Sequence, residues 1–173
     1  MSVHELEEIM PRPVMRPRFA RPLWAEVEGV LGVGLPQDYK DFIDLYGAGK
    51  ICEFISIFSP FAANINLNLI NQVNRQSAVL NEIALSGEVL PYPIFPIKDG
   101  ILAVGATDNG DIIYWRTGPG RWSVVLNEAR GTDWEIYDLS LVEFLIGLLS
   151  GQVSCRIFPK LPLVRPIKFT PFE

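Results

Sequence analysis

The Asn109-Gly110 pair constrains the fold most, because it stands between two runs of strand-forming residues. Such a pair supplies the positive φ angles of a two-residue type I′ turn, which joins neighbouring antiparallel strands. The first run covers residues 101–106 and the second covers 111–116. The sequence therefore predicts a β-hairpin, and the fold must contain an antiparallel sheet.

Further strands are predicted by short apolar runs that turn residues separate. Residues 51–58 alternate in polarity and are rich in β-branched and aromatic side chains, which is typical of one strand. Residues 94–97 predict a short strand before the Lys98-Asp99-Gly100 turn, and residues 121–126 predict another after a Gly-Pro-Gly turn. From residue 91 onward we therefore expect an antiparallel meander.

Helices are predicted where apolar residues recur every three or four positions. Pro22 suits the start of one helix, Leu35-Pro36 the start of a second that ends at Gly47, and Asp138 or Ser140 the cap of a last one that ends at Gly151. The predicted buried stripes are Leu23, Trp24, Val27, Val30 and Leu31; Tyr39, Phe42, Ile43 and Tyr46; Leu69, Val73, Leu80, Ile83 and Ala84; and Leu141, Val142, Leu145, Ile146, Leu148 and Leu149.

These elements predict an α+β fold, a mainly antiparallel sheet of about five or six strands flanked by helices. The chain has 173 residues, of which 49% are apolar and 20% charged, so a single domain with one core is expected. We expect an N-terminal arm over residues 1–21, the folded domain over 22–155, and a proline-rich C-terminal tail over 156–173 that packs on the domain or onto a partner.

The arm is extended because its prolines at 11, 13 and 17 exclude a helix. It forms either a basic clamp for an acidic ligand or a leader that lies along the surface with solvated arginines. The basic residues cluster in the arm and in the tail: Arg12, Arg16, Arg18 and Arg21, and Arg156, Lys160, Arg165 and Lys168.

The location expected for the chain is the cytoplasm. Its N-terminus is acidic where a secretory signal is basic, and its most apolar helical stretch, residues 139–149, is too short to cross a membrane. Cys52 and Cys155 indicate two buried thiols more readily than a disulfide. The net charge of -5 disfavours nucleic-acid binding and favours a basic partner.

Catalytic and metal sites find little support among the residues. The only histidine, His4, lies in a terminal segment where we expect no core around it, and zinc would need more clustered cysteine or histidine ligands than the chain has. The glycines at 32 and 34 and at 47 and 49 lack the spacing of a dinucleotide fold and are interpreted as helix caps. No cofactor and no metal are predicted.

Carboxylates and tryptophans are the remaining candidates for a site. A carboxylate pair among Asp99, Asp108, Asp111, Asp133, Glu135 and Asp138 could do acid-base chemistry, although turns and helix caps also place aspartates at such positions. Trp115, Trp122 and Trp134 belong to the core or, where one is exposed among acids, to a protein-binding hot spot.

A series of short motifs, in this order and spacing, resembles the SUKH superfamily over residues 22 to 150. The motifs are Leu35-Pro36-x-Asp38-Tyr39-x-x-Phe42, Tyr46-Gly47-x-Gly49, Phe95-Pro96, Gly105-x-Thr107-x-Asn109-Gly110-Asp111, Tyr114-Trp115 and Leu139-Ser140-x-x-x-Phe144-Leu145. That superfamily includes the yeast cell-wall glucan-synthesis regulator and many bacterial immunity proteins.

The resemblance implies an α+β domain without catalytic activity. It implies either an immunity protein that neutralises a cognate toxin domain, often a nuclease or deaminase, or a signalling or cell-wall regulatory scaffold; a carboxylate-based hydrolase is a third hypothesis. For the immunity hypothesis we predict an acidic, aromatic face that covers a basic toxin active site. The predicted partner-binding residues are Asp108, Asp111, Trp115, Trp122, Asp133 and Glu135.

Overall fold

A computed structural model describes residues 2–14, 23–129 and 131–172 of the chain. The elements follow in the order α1 (Val3–Ile9), α2 (Trp24–Leu31), α3 (Gln37–Tyr46), β1 (Gly49–Ile51), β2 (Ile55–Ile57), α4 (Leu69–Leu85), β3 (Ile101–Thr107), β4 (Ile112–Arg116), β5 (Ser123–Asn127), β6 (Trp134–Tyr137), α5 (Leu141–Ser150) and β7 (Phe169–Pro171). None of the helices in these ranges is long and apolar enough to cross a membrane.

The strands form one sheet in the order β6-β5-β4-β3-β2-β1-β7, and every neighbouring pair is antiparallel. The α+β prediction is therefore confirmed. The described sheet has seven strands rather than five or six, because β6 and β7 are added, the strand predicted over 51–58 divides in two, and the strand predicted over 94–97 does not form. The seventh strand comes from the C-terminal tail, where Thr170 lies opposite Lys50 of β1.

A tight turn separates β1 from β2, so the prediction of one strand over residues 51–58 is wrong. Cys52 and Glu53 both have φ of 53°, and the N–H of Phe54 donates to the carbonyl of Ile51 over 3.0 Å. Side chains other than Gly, Asn and Asp rarely adopt this left-handed conformation. The sequence therefore carried no signal for the turn at Cys52 and Glu53, and residues 51–58 were predicted as one continuous strand.

The hairpin between β3 and β4 lies where the Asn109-Gly110 pair predicts it, but its turn is not type I′. In the described chain only Gly110 of the pair has a positive φ, of 91°. The N–H of Gly110 donates to the carbonyl of Thr107 over 2.9 Å, and the N–H of Thr107 donates to the carbonyl of Asp111 over 2.9 Å. This is a type I turn followed by a left-handed glycine, a three-residue loop.

Residues 94–97 do not form the predicted strand. Ile94 makes a single isolated bridge to Ile101. Pro93 and Pro96 have no N–H to donate to a ladder, which accounts for the loss of regular pairing.

Helix α3 has the buried stripe that periodicity predicts, since Tyr39, Phe42, Ile43 and Tyr46 are all buried. Helix α2 differs, because Val27 alone of its predicted stripe is fully buried and Leu23 and Val30 are exposed. Its eight residues make too short a helix for a stripe of five to lie entirely against the core.

Helices α4 and α5 begin at side-chain caps. The Asn68 side chain accepts from the N–H groups of Ile70 and Asn71, and the Ser140 side chain accepts from the N–H of Glu143. Helix α5 ends at Gly151 in the left-handed conformation, as predicted, and Ser140 rather than Asp138 is its cap.

The N-terminal segment has a core around it, which corrects the expectation for His4. It forms α1, which buries Val3 and Leu6, while the His4 side chain itself remains exposed. The Tyr46 hydroxyl donates to the carbonyl of Met10 over 2.5 Å, and the N–H of Ile167 donates to the carbonyl of Ile9 over 3.0 Å. Residues 15–21 of the predicted arm, with Arg16, Arg18 and Arg21, lie outside the described residues.

Helices cover both faces of the sheet. On one face α1, α3 and α5 pack together, and the rings of Tyr39 and Trp115 meet edge to face at 4.8 Å. On the other face α4 packs on β3. Strand β4 alternates between the two faces, so Trp115 points to α3 while Tyr114 points to the side that carries α4.

Candidate functional site

The two tryptophans predicted to bind a partner lie in the core. Trp115 is 0% exposed and packs edge to face on Tyr39 and on Trp122, at ring distances of 4.8 and 5.5 Å. Trp122 is also buried, and its indole N–H donates to the carbonyl of Gly118 over 3.2 Å. Neither ring forms the exposed aromatic surface that we expected, whereas Trp134 is half-buried.

Asp111 is buried as well, at 3% exposure, and it joins two loops. Its carboxylate accepts from the Thr107 hydroxyl over 2.6 Å and from the N–H of Ala129 over 3.1 Å. The β3–β4 hairpin and the β5–β6 loop are therefore fixed side by side. The Asp111 side chain stabilises this end of the sheet and presents almost no surface.

Asp108 and Asp133 are exposed at that same end of the sheet. The Asp108 carboxylate forms an ion pair with the Lys50 ammonium at 2.7 Å, and the carbonyl of Asp133 accepts from the N–H of Glu128 over 3.1 Å. These two of the six predicted residues lie on neighbouring loops.

Glu135 lies away from Asp108 and Asp133, on β6, where it contacts the start of the C-terminal tail. Its carboxylate accepts from the backbone N–H and the guanidinium of Arg156, from the Cys155 thiol and from the Tyr137 hydroxyl, over distances of 2.9 to 3.3 Å. Burial favours a raised pKa for Glu135, but these hydrogen bonds outweigh it and lower the pKa. Burial raises the pKa of the Cys155 thiol to about 11. Glu135 therefore anchors the tail.

The first cleft has a volume of about 370 Å³ and lies where the N-termini of α3 and α5 meet the β4–β5 loop. Residues of the family-like motifs line it, together with the loop: Leu35, Pro36, Asp38, Trp115, Arg121, Trp122, Ser140 and Leu141. The motifs that the sequence spreads over a hundred residues therefore meet here.

The charged groups of the first cleft are bonded within the chain. The Asp38 carboxylate accepts from the N–H of Tyr39 over 2.9 Å and from the N–H of Val142, at the start of α5, over 3.1 Å. The Arg121 guanidinium donates to Glu143 over 2.6 Å and to the carbonyl of Asp138 over 2.8 Å. The first cleft is therefore a joint that holds α5 on α3.

The second cleft has a volume of about 200 Å³ and lies on the opposite face of the sheet, between α4, β4 and the β5–β6 loop. Its apolar walls are Val79, Ile83 and Ile112, and its polar lining consists of Gln76, Glu88, Tyr114, Asn127 and Glu128. Within the described residues the carboxylates of Glu88 and Glu128 have no hydrogen bond and no ion pair.

Exposed apolar side chains are found near this cleft on α4 and on the segment that follows it. Val79 is 40% exposed, Leu85 is 87% exposed and Val89 is 88% exposed. The acidic residues Glu82 and Glu88 alternate with them. We call these side chains, together with the second cleft, the α4 surface. Exposed apolar side chains bordered by polar groups are found on surfaces that bind proteins.

No group of three or more histidine, cysteine, aspartate or glutamate residues in the described part of the chain could hold a metal ion. Both cysteines are free and half-buried. Of the carboxylates considered for acid-base chemistry, Asp108, Glu135 and Asp138 form ion pairs with basic side chains, and Asp111 accepts hydrogen bonds within the chain. The described residues thus bring no two of these carboxylates together over a cleft.

Comparison with known families matches residues 22–145 to the family described as SUKH_6, SMI1-KNR4 cell-wall. The chain belongs to the SUKH superfamily. SUKH proteins include toxin-immunity proteins and cell-wall regulators, which in general are not enzymes. Searches among curated proteins and among solved structures gave no significant match.

Sequence reasoning missed the second cleft. Gly110 and Tyr114 in its lining belong to the motifs above, but the rest of the lining lies outside them. One signal was present, because Val79 is an apolar residue of α4 that lies beside the predicted buried stripe and not within it. Exposed apolar residues on a helix that already has a buried stripe indicate a second contact surface.

Proposed function

We propose that this SUKH protein is a non-enzymatic immunity protein that binds and neutralises a cognate toxin domain in the cytoplasm. The observation that carries the proposal is the α4 surface, where two carboxylates without partners among the described residues lie beside exposed apolar side chains. The net charge of -5 supports a basic partner, because opposite charges speed association. A nuclease or deaminase domain, which must bind a polyanion, has such a charge.

The mechanism follows from surface complementarity. The apolar residues of the α4 surface are buried against the toxin, and its acidic residues orient the two proteins. The bound immunity protein thereby covers the basic substrate site of the toxin and excludes the nucleic acid. Of the six residues predicted to bind a partner, Asp108 and Asp133 are assigned to this interface. Both are exposed on the loops next to the second cleft. No nucleic acid and no membrane take part.

Affinity capture tests the proposal. The full chain is used as bait in a lysate of its host at moderate salt, and mass spectrometry identifies the proteins retained in stoichiometric amount. We expect a basic toxin domain, encoded beside the gene of this chain, whose activity the purified chain abolishes at a one-to-one ratio. A captured toxin that stays active in the complex would contradict the mechanism.

A regulatory scaffold is the second candidate, because the matching family is described by the SMI1-KNR4 cell-wall proteins. Capture of signalling or cell-wall proteins, with no toxin and no toxin gene nearby, would favour the scaffold. The two functions share the α4 surface as the interface and differ in the partner.

A further inference from the structure

We propose that the second cleft binds the guanidinium group of an arginine side chain that the partner protein presents. The identity of the partner as a basic toxin rests on the proposed function. The chemistry of the cleft does not, since it follows from the groups that line it.

The polar lining of the cleft consists mainly of hydrogen-bond acceptors. The carboxylates of Glu88 and Glu128 have no partner among the described residues. The amides of Gln76 and Asn127 use their NH₂ groups, which donate to Gln72 Oε1 over 3.3 Å and to the carbonyl of Asp133 over 3.5 Å, so their oxygens remain as acceptors. A site with many acceptors and negative charge fits a cation that has many donors.

Tyr114 is the observation that points to a ligand independently of the acidic groups. The residue is 1% exposed, lines the cleft, and its hydroxyl has no hydrogen-bond partner among the residues that the structure describes. Buried polar groups in native proteins are nearly always bonded. Because Tyr114 lines the cleft, a group bound in the cleft can reach its hydroxyl.

Guanidinium suits the cleft better than ammonium does. It is planar and weakly hydrated, it presents five donors and it stacks on aromatic rings, whereas the ammonium group of lysine is a compact point charge. The apolar walls formed by Val79, Ile83 and Ile112 can pack against the methylene groups of the side chain. The cleft has a volume of about 200 Å³, which is large enough to admit a side chain.

The β5–β6 loop carries Glu128 at the edge of the cleft. Its carboxylate lies over Gly131, where a Cβ atom would stand 1.9 Å from Glu128 Oε2. The bond from the N–H of Ala129 to the Asp111 carboxylate, at 3.1 Å, fixes the loop to the neighbouring hairpin. The buried Asp111 therefore positions the wall that carries Glu128.

The test uses the full chain and a small probe. Nα-acetyl-arginine methylamide is titrated into ¹⁵N-labelled protein, and amide shifts are recorded by NMR. The matched probe is Nα-acetyl-citrulline methylamide, which has nearly the same shape and no charge. We expect the arginine probe to bind with a dissociation constant on the order of 1 mM and to shift Gln76, Asn127, Glu128 and Gly131. The citrulline probe should bind at least about tenfold more weakly.

Variants separate a specific site from general attraction by an acidic protein. Glu88→Gln with Glu128→Gln should weaken the arginine probe by at least about tenfold, and Tyr114→Phe should weaken it by several-fold. Glu8→Gln with Glu26→Gln removes the same charge from exposed positions on α1 and α2 and should leave the affinity unchanged. Equal weakening by both double variants, shifts that are the same for both probes, or no shifts at the cleft would overturn the proposal.

The experiment also distinguishes the two proposals. Probe binding at the cleft supports the guanidinium site even if affinity capture recovers no toxin. Conversely, if a neutralised toxin is recovered but the probe does not bind and the Glu88→Gln, Glu128→Gln variant keeps full affinity for the toxin, the proposed function stands and the guanidinium site is excluded.

Discussion

The two clefts differ in how their polar groups are satisfied. In the first cleft, the carboxylate of Asp38 and the guanidinium of Arg121 are bonded to the backbone or to side chains of this chain. In the second cleft, the carboxylates of Glu88 and Glu128 and the hydroxyl of Tyr114 have no such partner in the described structure. The larger cleft therefore stabilises the fold, and the smaller one has bonding capacity left for a ligand.

This contrast shows that most of the second cleft lies outside the motif residues. Asp38 and Trp115, which belong to the SUKH-like motifs, meet at the first cleft. The second cleft includes Gly110 and Tyr114 from those motifs, but the rest of its lining lies on α4, β4, β5 and the β5–β6 loop. Members of one fold family can thus keep a common joint while most of a binding surface differs.

The largest effect is expected from removing the aromatic wall of the first cleft. Trp115→Ala should lower the free energy of unfolding by about 3–5 kcal/mol, because the buried ring packs against Tyr39 and Trp122. Urea denaturation followed by circular dichroism measures the change. A loss below about 1 kcal/mol would mean that the joint is not part of the stabilising core.

Two buried tyrosines compare a bonded hydroxyl next to the first cleft with a hydroxyl of the second cleft that is unbonded within the described structure. Tyr39→Phe should cost about 1–3 kcal/mol, since the Tyr39 hydroxyl donates to the buried carbonyl of Phe58 over 2.6 Å. Tyr114→Phe removes a hydroxyl that has no partner in the described residues and should change the stability by less than about 0.5 kcal/mol. The same denaturation experiment compares both variants, and equal losses would remove the distinction between the clefts.

The Asp38 carboxylate tests whether the first cleft holds α5 on α3. Asp38→Ala should cost about 1–2 kcal/mol, because the N–H of Val142 at the start of α5 loses its acceptor. Asp41→Ala on the same helix is the control, since the Asp41 carboxylate bonds only the exposed Gln37 side chain, and it should cost less than about 0.5 kcal/mol. Hydrogen exchange of the α5 amides reports whether the loss is local to that helix.

Glu135 tests whether a residue predicted to bind a partner acts within the fold instead. Its pKa is lowered in the folded state, so its contribution to stability is present above the usual value near 4.5 and is lost as the pH falls through the folded pKa. Glu135→Gln should therefore destabilise the protein by about 1–2 kcal/mol at pH 7, and the gap to the wild type should narrow below about pH 4.5. A gap of constant size from pH 7 to pH 3 would contradict this role.

Structural features that depend on residues close together in the sequence could be predicted from local patterns. The spacing of Tyr39, Phe42, Ile43 and Tyr46 fixes the buried face of α3, and that stripe is confirmed. The turn at Cys52 and Glu53 could not be predicted, because neither residue is usual in the left-handed conformation that both adopt.

The other features of the fold and of the candidate site depend on contacts between segments that are distant in the sequence. The alternation of β4 placed Trp115 on one face of the sheet, but its burial depends on α3, some seventy residues earlier in the chain. Asp111 sits beside a turn, as expected of an aspartate, but its bond to Ala129 comes from another hairpin. The second cleft depends on the packing of α4 next to the β5–β6 loop, which no local pattern encodes.

Calorimetric titration of the captured partner into the wild-type chain and into the Glu88→Gln, Glu128→Gln variant decides whether the second cleft is the binding site. We expect a loss of affinity of at least about tenfold, with unfolding free energies that agree within about 0.5 kcal/mol and with wild-type affinity for Glu8→Gln, Glu26→Gln. Equal affinities for all three proteins would show that the second cleft is not the binding site, and would contradict the division of the molecule into a structural joint and a binding surface.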